Sequence, residues 1–137
     1  MKNFFDTSAL TKRYIQEEGS NEVSSLAERG DEIYVSIICL PEIFSALNRL
    51  KRERLITKKQ YRQTAQAIAH DFQGFNVCQL TPGCIKAIIR LLERYPLKAM
   101  DAIHLASAIQ IKAELFISSD TQQIKAAKKL ELDILQV

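Results

Sequence analysis

The chain has 137 residues, 47% of them hydrophobic and 26% charged, with 19 basic and 16 acidic side chains and a formal net charge of +3. That composition excludes a disordered, collagen-like or disulfide-scaffold chain, and the length suits one domain, residues 1–137, with enough core to fold without a structural metal. No apolar run reaches the ~18 residues of a membrane span, no secretory leader is visible from Met1 to Asp6, and Cys39, Cys78 and Cys84 form no CxxC pair, so the expectation is a cytoplasmic protein with reduced cysteines and no zinc knuckle.

Residues 2–5 are short and apolar and predict a buried strand ending near Asp6. Ser8 to Glu18 reads as a helix stopped by Gly19, and Ser20 to Arg29 as a second helix closed by Gly30. Ile33-Tyr34-Val35 predicts the next strand. A helix then carries Ile43, Phe44, Leu47 and Leu50 at spacings of three and four, with Pro41 in its first turn. Thr57-Lys58-Lys59-Gln60 has the form of a capping box for a helix to about Phe72. Val77 to Leu80 predicts a third strand. Thr81 and Pro82 are N-cap and N1 residues for a helix to Tyr95. After Pro96 come a helix over roughly Ala99 to Ala113, a strand at Leu115-Phe116-Ile117, a helix from Thr121 to Leu130 and a short strand at Ile134-Leu135. There is no repeat, linker or low-complexity tract.

Strands that alternate with helices and are apolar on both faces imply a parallel sheet covered on both sides, a three-layer α/β/α sandwich. Ligands of such sheets sit beyond the carboxyl ends of the strands. Asp6 directly follows the first strand and Asp120 closely follows the fourth, so both acids enter one crevice if those strands are neighbours. Glu42 and Asp101 lie near the starts of helices, where the helix dipole favours a carboxylate and where ordinary capping also places one. Asp101 is embedded in Ala99-Met100-Asp101-Ala102-Ile103-His104-Leu105-Ala106. An acid in so apolar a stretch is costly unless paired or bound to a cation.

Four blocks occur in order along the chain: Phe5-Asp6-Thr7-Ser8-Ala9-Leu10; Pro41-Glu42-Ile43 with Ser45-Ala46-Leu47 and Arg49; Asp101-Ala102-Ile103-His104-Leu105-Ala106; and Ser118-Ser119-Asp120. Together they resemble the signature blocks of the PIN-domain family, and more narrowly the VapC-type toxins of bacterial toxin–antitoxin pairs. Pro41 beside Glu42 is a local variation on that pattern. The resemblance implies a PIN-like sandwich, Mg²⁺ or Mn²⁺ as cofactor, endoribonuclease activity on RNA, a homodimer, and inhibition by a small antitoxin.

Under that resemblance Asp6 and Asp101 are expected as direct metal ligands and Asp120 as a direct or water-mediated one. Glu42 is expected to hold a second ion or orient metal-bound water. Oxygen donors without clustered His or Cys suit Mg²⁺ or Mn²⁺ better than zinc. Carboxylates about 5 Å apart repel by about 3 kcal/mol at an effective dielectric of 20, so four together need a cation or shifted pKa values. Ser8 and Ser118 either support the carboxylates or a phosphate, or serve only as caps. His104 shares a helix face with Asp101, and a locally packed or paired histidine is preferred over a general base. His70 has no catalytic context.

Two basic clusters, Lys86-Arg90-Arg94-Lys98 and Lys51, Arg52, Arg54, Lys58, Lys59 and Arg62, read as solvated faces or as RNA contacts. Leu10, Tyr14, Leu47 and Leu50 lie on helices next to the motif blocks; some belong to the core, and the rest are candidates for an apolar face toward the antitoxin. A basic residue in that partner's tail is expected to enter the acidic pocket. Three other readings stay open: an RNA-processing PIN nuclease without an antitoxin, a non-catalytic module of the same fold, and a phosphoryl-aspartate enzyme built on Asp6. Against the last, Ser8 stands where a second Asp is common, and no P-loop or GxGxxG is present.

Overall fold

The computed structural model describes residues 1–137. The elements in chain order are β1 (Lys2–Phe5), α1 (Thr7–Leu10), a 3₁₀ turn (Thr11–Arg13), α2 (Ser20–Glu28), β2 (Glu32–Ser36), α3 (Cys39–Arg52), α4 (Lys58–Gly74), β3 (Asn76–Cys78), α5 (Pro82–Arg94), α6 (Ala99–Gln110), β4 (Leu115–Ser118), α7 (Thr121–Lys129) and β5 (Ile134–Gln136). The five strands form one sheet in the order β3-β2-β1-β4-β5, and every pairing is parallel. No helix is long and apolar enough to cross a membrane.

Alternation along the central strands divides the interior into two cores. Phe5 and Ile117 face a core completed by Leu10, Val23, Val35, Ile43, Leu47 and Ile68. Phe4 and Phe116 face the other, with Ile88, Leu91, Ala102, Leu105 and Ala106, and their rings stack at 5.8 Å between centroids. Cys39 and Cys84 are buried, Cys78 is partly so, and all three are free. The expected capping box at Thr57 and Gln60 is present. Thr81 caps α5 by accepting from Cys84 N at 3.1 Å.

The long helix expected over Ser8–Glu18 does not form. Its first turn is α1, the next tightens to 3₁₀, and the helical path ends at Tyr14. Side-chain contacts anchor the chain where the helix ends: Arg13 Nε and Tyr14 OH each donate to Asp71 Oδ2 on α4 at 2.8 Å, and Lys12 Nζ donates to the Glu18 carbonyl at 2.6 Å. Gly19, at φ 89°, precedes α2 as its N-cap instead of stopping α1. Leu10 and Leu47 are the members of the expected apolar set that belong to the core. Leu47 still floors an open groove of about 330 Å³ whose walls include Tyr14, Ile15, Leu50 and Ile56. Elsewhere α6 stops at Gln110 and β3 at Cys78, each short of its expected end.

The Asp71 contacts make a prediction about stability. Burial alone would raise the Asp71 pKa, but hydrogen bonds from Arg13 and Tyr14 outweigh it and hold the carboxyl below its ordinary 3.8. A depressed acid stabilises the fold above its unfolded pKa, and that contribution is lost as pH falls through the folded value. Asp71→Asn therefore costs about 2 kcal/mol at pH 7, and the gap from the wild type closes below pH 3.8. Denaturant melts of both proteins across that range test this, and a gap that persists in acid contradicts it.

Candidate active site

The strand order places the site. The chain runs from β1 to β2 on one side, then crosses from β3 to β4 on the other, so the crevice beyond the carboxyl ends of β1 and β4 is the switch point of the sheet. Asp6 follows β1 and Asp120 follows β4, both as helix N-caps. Glu42 and Asp101 enter from the first turns of α3 and α6.

Asp6 is completely buried. Its Oδ1 accepts from Ser8 Oγ at 2.7 Å and from Ala9 N at 2.9 Å, and its Oδ2 accepts from the Ser118 hydroxyl. Those hydroxyls also accept backbone N–H groups of the loop after β4: Ser119 N donates to Ser8 Oγ and Asp120 N to Ser118 Oγ, each at 3.0 Å. The two serines thus tie Asp6 to the segment that carries Asp120. Burial pushes the Asp6 pKa up, and the Ser118 and Ser8 hydrogen bonds offset only part of that rise.

Asp120 Oδ1 accepts from Gln122 N at 2.9 Å and Gln123 N at 3.1 Å. The Gln123 side chain donates to Asp101 Oδ1 at 3.4 Å, and its own Oε1 is buried without a partner. Burial raises the Asp101 pKa, and repulsion from Asp120 raises it further. The mutual repulsion of these two acids favours a positive charge near them.

Glu42 belongs to a third group. Its Oε1 accepts from Thr7 Oγ1 at 2.6 Å and from His104 Nε2 at 2.7 Å. Burial opposes its ionisation, yet the His104 and Thr7 hydrogen bonds prevail and the net pKa falls. Both donors land on Oε1, so Oε2 keeps its lone pairs for another partner. His104 is buried, with its ring edge against Phe4 and its Nδ1 without a partner. It is packed and paired, as preferred from sequence, but not with a local partner: the pairing is to Glu42, one of the four acids, 62 positions away.

No three His, Cys, Asp or Glu side chains already surround one point closely enough to hold a metal ion. The four acids instead stand as Asp6 in its serine clamp, the Asp101–Asp120 pair, and Glu42 on His104. The donor chemistry fits a hard divalent cation: the ligating atoms are carboxylate oxygens, and burial keeps two of the acids short of compensating charge. Thr7, His104 and Gln123 are the contributors that sequence reasoning left without a site role. Thr7 lies inside the first motif block and His104 inside the third, while nothing in the sequence singles out Gln123.

A parallel sheet with an acidic crevice at its switch point defines the class as an α/β protein of the kind that binds ligands beyond its strand ends. The chain belongs to the PIN domain family, whose model matches residues 4–129. It is 26% identical over 133 residues to ribonuclease VapC47 of Mycobacterium tuberculosis, covering 93% of this chain and 90% of the relative. It is 27% identical over 108 residues to ribonuclease VapC45 of the same organism, covering 79% and 75% respectively. Among solved structures, VapC20 of Mycobacterium tuberculosis, described as a sarcin–ricin loop cleaving toxin, superposes with a TM-score of 0.71 at 19% identity, covering 90% of this chain and 94% of that one. VapBC2 of Rickettsia felis, solved on a promoter DNA fragment, gives 0.70 at 15% identity, covering 99% and 98%. At those identities the structures establish the shared fold.

Proposed function

We propose that this protein is a metal-dependent endoribonuclease and the toxin of a toxin–antitoxin pair. The observation that carries the reading is the buried Asp6, clamped at the switch point by Ser8 and Ser118 and tied through them to the segment that carries Asp120, in a PIN-domain chain whose relatives are named ribonucleases.

Asp6, Asp101, Asp120 and Glu42 would hold Mg²⁺ or Mn²⁺. When bound, the ion supplies charge for the phosphate oxygens and lowers the pKa of an attacking water. The protein's own contribution is positioning. Ser8, Ser118 and the Ala9 N–H leave Asp6 no rotamer freedom, Gln123 braces Asp101, and Thr7 with His104 fixes Glu42. Cleavage of a labelled RNA by the purified protein in Mn²⁺, abolished by chelation, is the expected result. Mn²⁺ at a hundredfold excess over its Kd also raises stability by about 2.7 kcal/mol, and a melt unmoved by millimolar Mn²⁺ at neutral pH counts against the site.

The groove walled by Tyr14, Ile15, Leu50 and Ile56 suits an apolar segment of a small antitoxin. A basic residue in its tail would enter the acidic crevice and compete with metal. The exposed α5 stripe of Ile85, Ile89 and Leu92 is a face suited to a homodimer. Light scattering at tens of micromolar tests the dimer, and calorimetric titration of the partner with and without Mn²⁺ tests the competition.

A further inference from the structure

An acidic crevice repels the phosphates it is meant to receive unless cations stand beside it. The sequence holds two basic clusters, and the fold assigns them to different places. Lys51, Arg52, Arg54, Lys58 and Lys59 gather where α3 ends and α4 begins. Glu42 lies in the first turn of α3, so about 14 Å of helix rise separates it from Lys51; Lys129 is as far from Asp120 along α7, whereas Lys125 is only about 8 Å along it. The Lys51 ammonium is also turned onto the Tyr61 ring, 4.1 Å from its centroid.

The other cluster follows α5 to the start of α6, and only its last member, Lys98, stands beside one of the four acids; the cations that line a groove near Asp120 are Lys125 and Lys129 of α7, which belong to neither cluster. A groove of about 70 Å³ runs between α7 and the turn joining α5 to α6, with Tyr95, Leu97, Gln122, Lys125 and Lys129 in its lining and no acid among the lining residues. Gln122, Lys125 and Lys129 recur at spacings of three and four, so they share one face of α7. The opposite face, with Ile124 and Ala127, is packed into the protein. That face begins beside Asp120, whose Oδ1 accepts from Gln122 N at 2.9 Å, and its first cation is Lys125. Lys98, the N-cap of α6, adds a charge close enough to lower the Asp101 pKa. Lys129 Nζ lies 5.8 Å from the centroid of the half-buried Tyr95 ring.

We infer that this groove receives the ribose-phosphate backbone of the RNA strand on one side of the scissile bond. Lys125 and Lys129 pair with phosphates, and Tyr95 and Leu97 form the apolar wall against the sugars. The basic cluster at the far end of α3 takes no part. This inference rests on the ribonuclease reading and names a substrate subsite for it.

The test measures binding of a fluorescent single-stranded RNA to the cleavage-silenced Asp6→Asn protein by anisotropy across a range of salt. On that background Lys125→Ala/Lys129→Ala is compared with Lys58→Ala/Lys59→Ala. All four lysines are exposed, and melting curves verify that both variants fold. The groove pair is expected to lose on the order of tenfold in affinity and to flatten the slope of log K against log salt by about 1.4, two phosphates at about 0.7 each. The α4 pair is expected to bind like its parent. In the active enzyme the groove pair raises KM and leaves kcat in place. Equal losses from both pairs, or none from the groove pair, overturn the inference while the ribonuclease reading stands. If the wild type neither binds nor cleaves RNA in Mn²⁺, that reading falls and the groove's role falls with it.

Discussion

Asp6→Asn will lose RNA cleavage by a factor on the order of 10²–10³, the scale of removing one group that stabilises charge in a transition state, while the protein remains folded. Asn has the same shape, and its oxygen can still accept from Ser8 and Ala9. The Ser118 hydroxyl, now facing an amide, can turn and accept. The substitution also removes a charge that burial makes expensive. Without metal, the variant therefore melts no lower than the wild type. Circular dichroism melts without metal and cleavage rates with Mn²⁺ separate the two effects. A variant that cleaves at the wild-type rate removes Asp6 from the centre, and one that fails to fold assigns it a structural role only.

His104→Ala will lower cleavage by about 10- to 100-fold, the usual range for losing a partner that orients a ligand. The ring is buried and bridges α6 to Glu42 on α3 and Thr7 on α1. Without it Glu42 keeps one donor and regains rotamer freedom. The cavity also destabilises the protein by roughly 2–3 kcal/mol, so activity alone does not identify the role. His104→Gln resolves this, because its side-chain amide can still donate toward Glu42. Recovery of cleavage and of Mn²⁺ affinity in the Gln variant marks positioning of Glu42. Losses in both variants that track only their melting temperatures mark a packing role.

The order of strands and helices is legible in the chain because local chemistry dictates it. Thr57 with Gln60, and Thr81 with Pro82, satisfy helix N-termini within a few residues of themselves, and both helices start where those residues stand. The four acids are legible because each lies in a short block whose neighbours also carry the pattern, and the alternation of strands and helices already implies a crevice at the strand ends. Contacts between residues distant in sequence are not written in any local pattern. The helical path ends at Tyr14, where Arg13 and Tyr14 are anchored by Asp71, 58 positions from Arg13 and invisible to any local pattern. Tertiary structure alone buries Leu10 and Leu47, whose helix faces are apolar in sequence whether they meet the core or a partner. It joins His104 to Glu42 across 62 positions and Ser118 to Asp6 across 112, pairings that need the sheet order before they have any geometry. It also decides which lysines lie beside the acids, because charge on a helix has no location until the helix has packed.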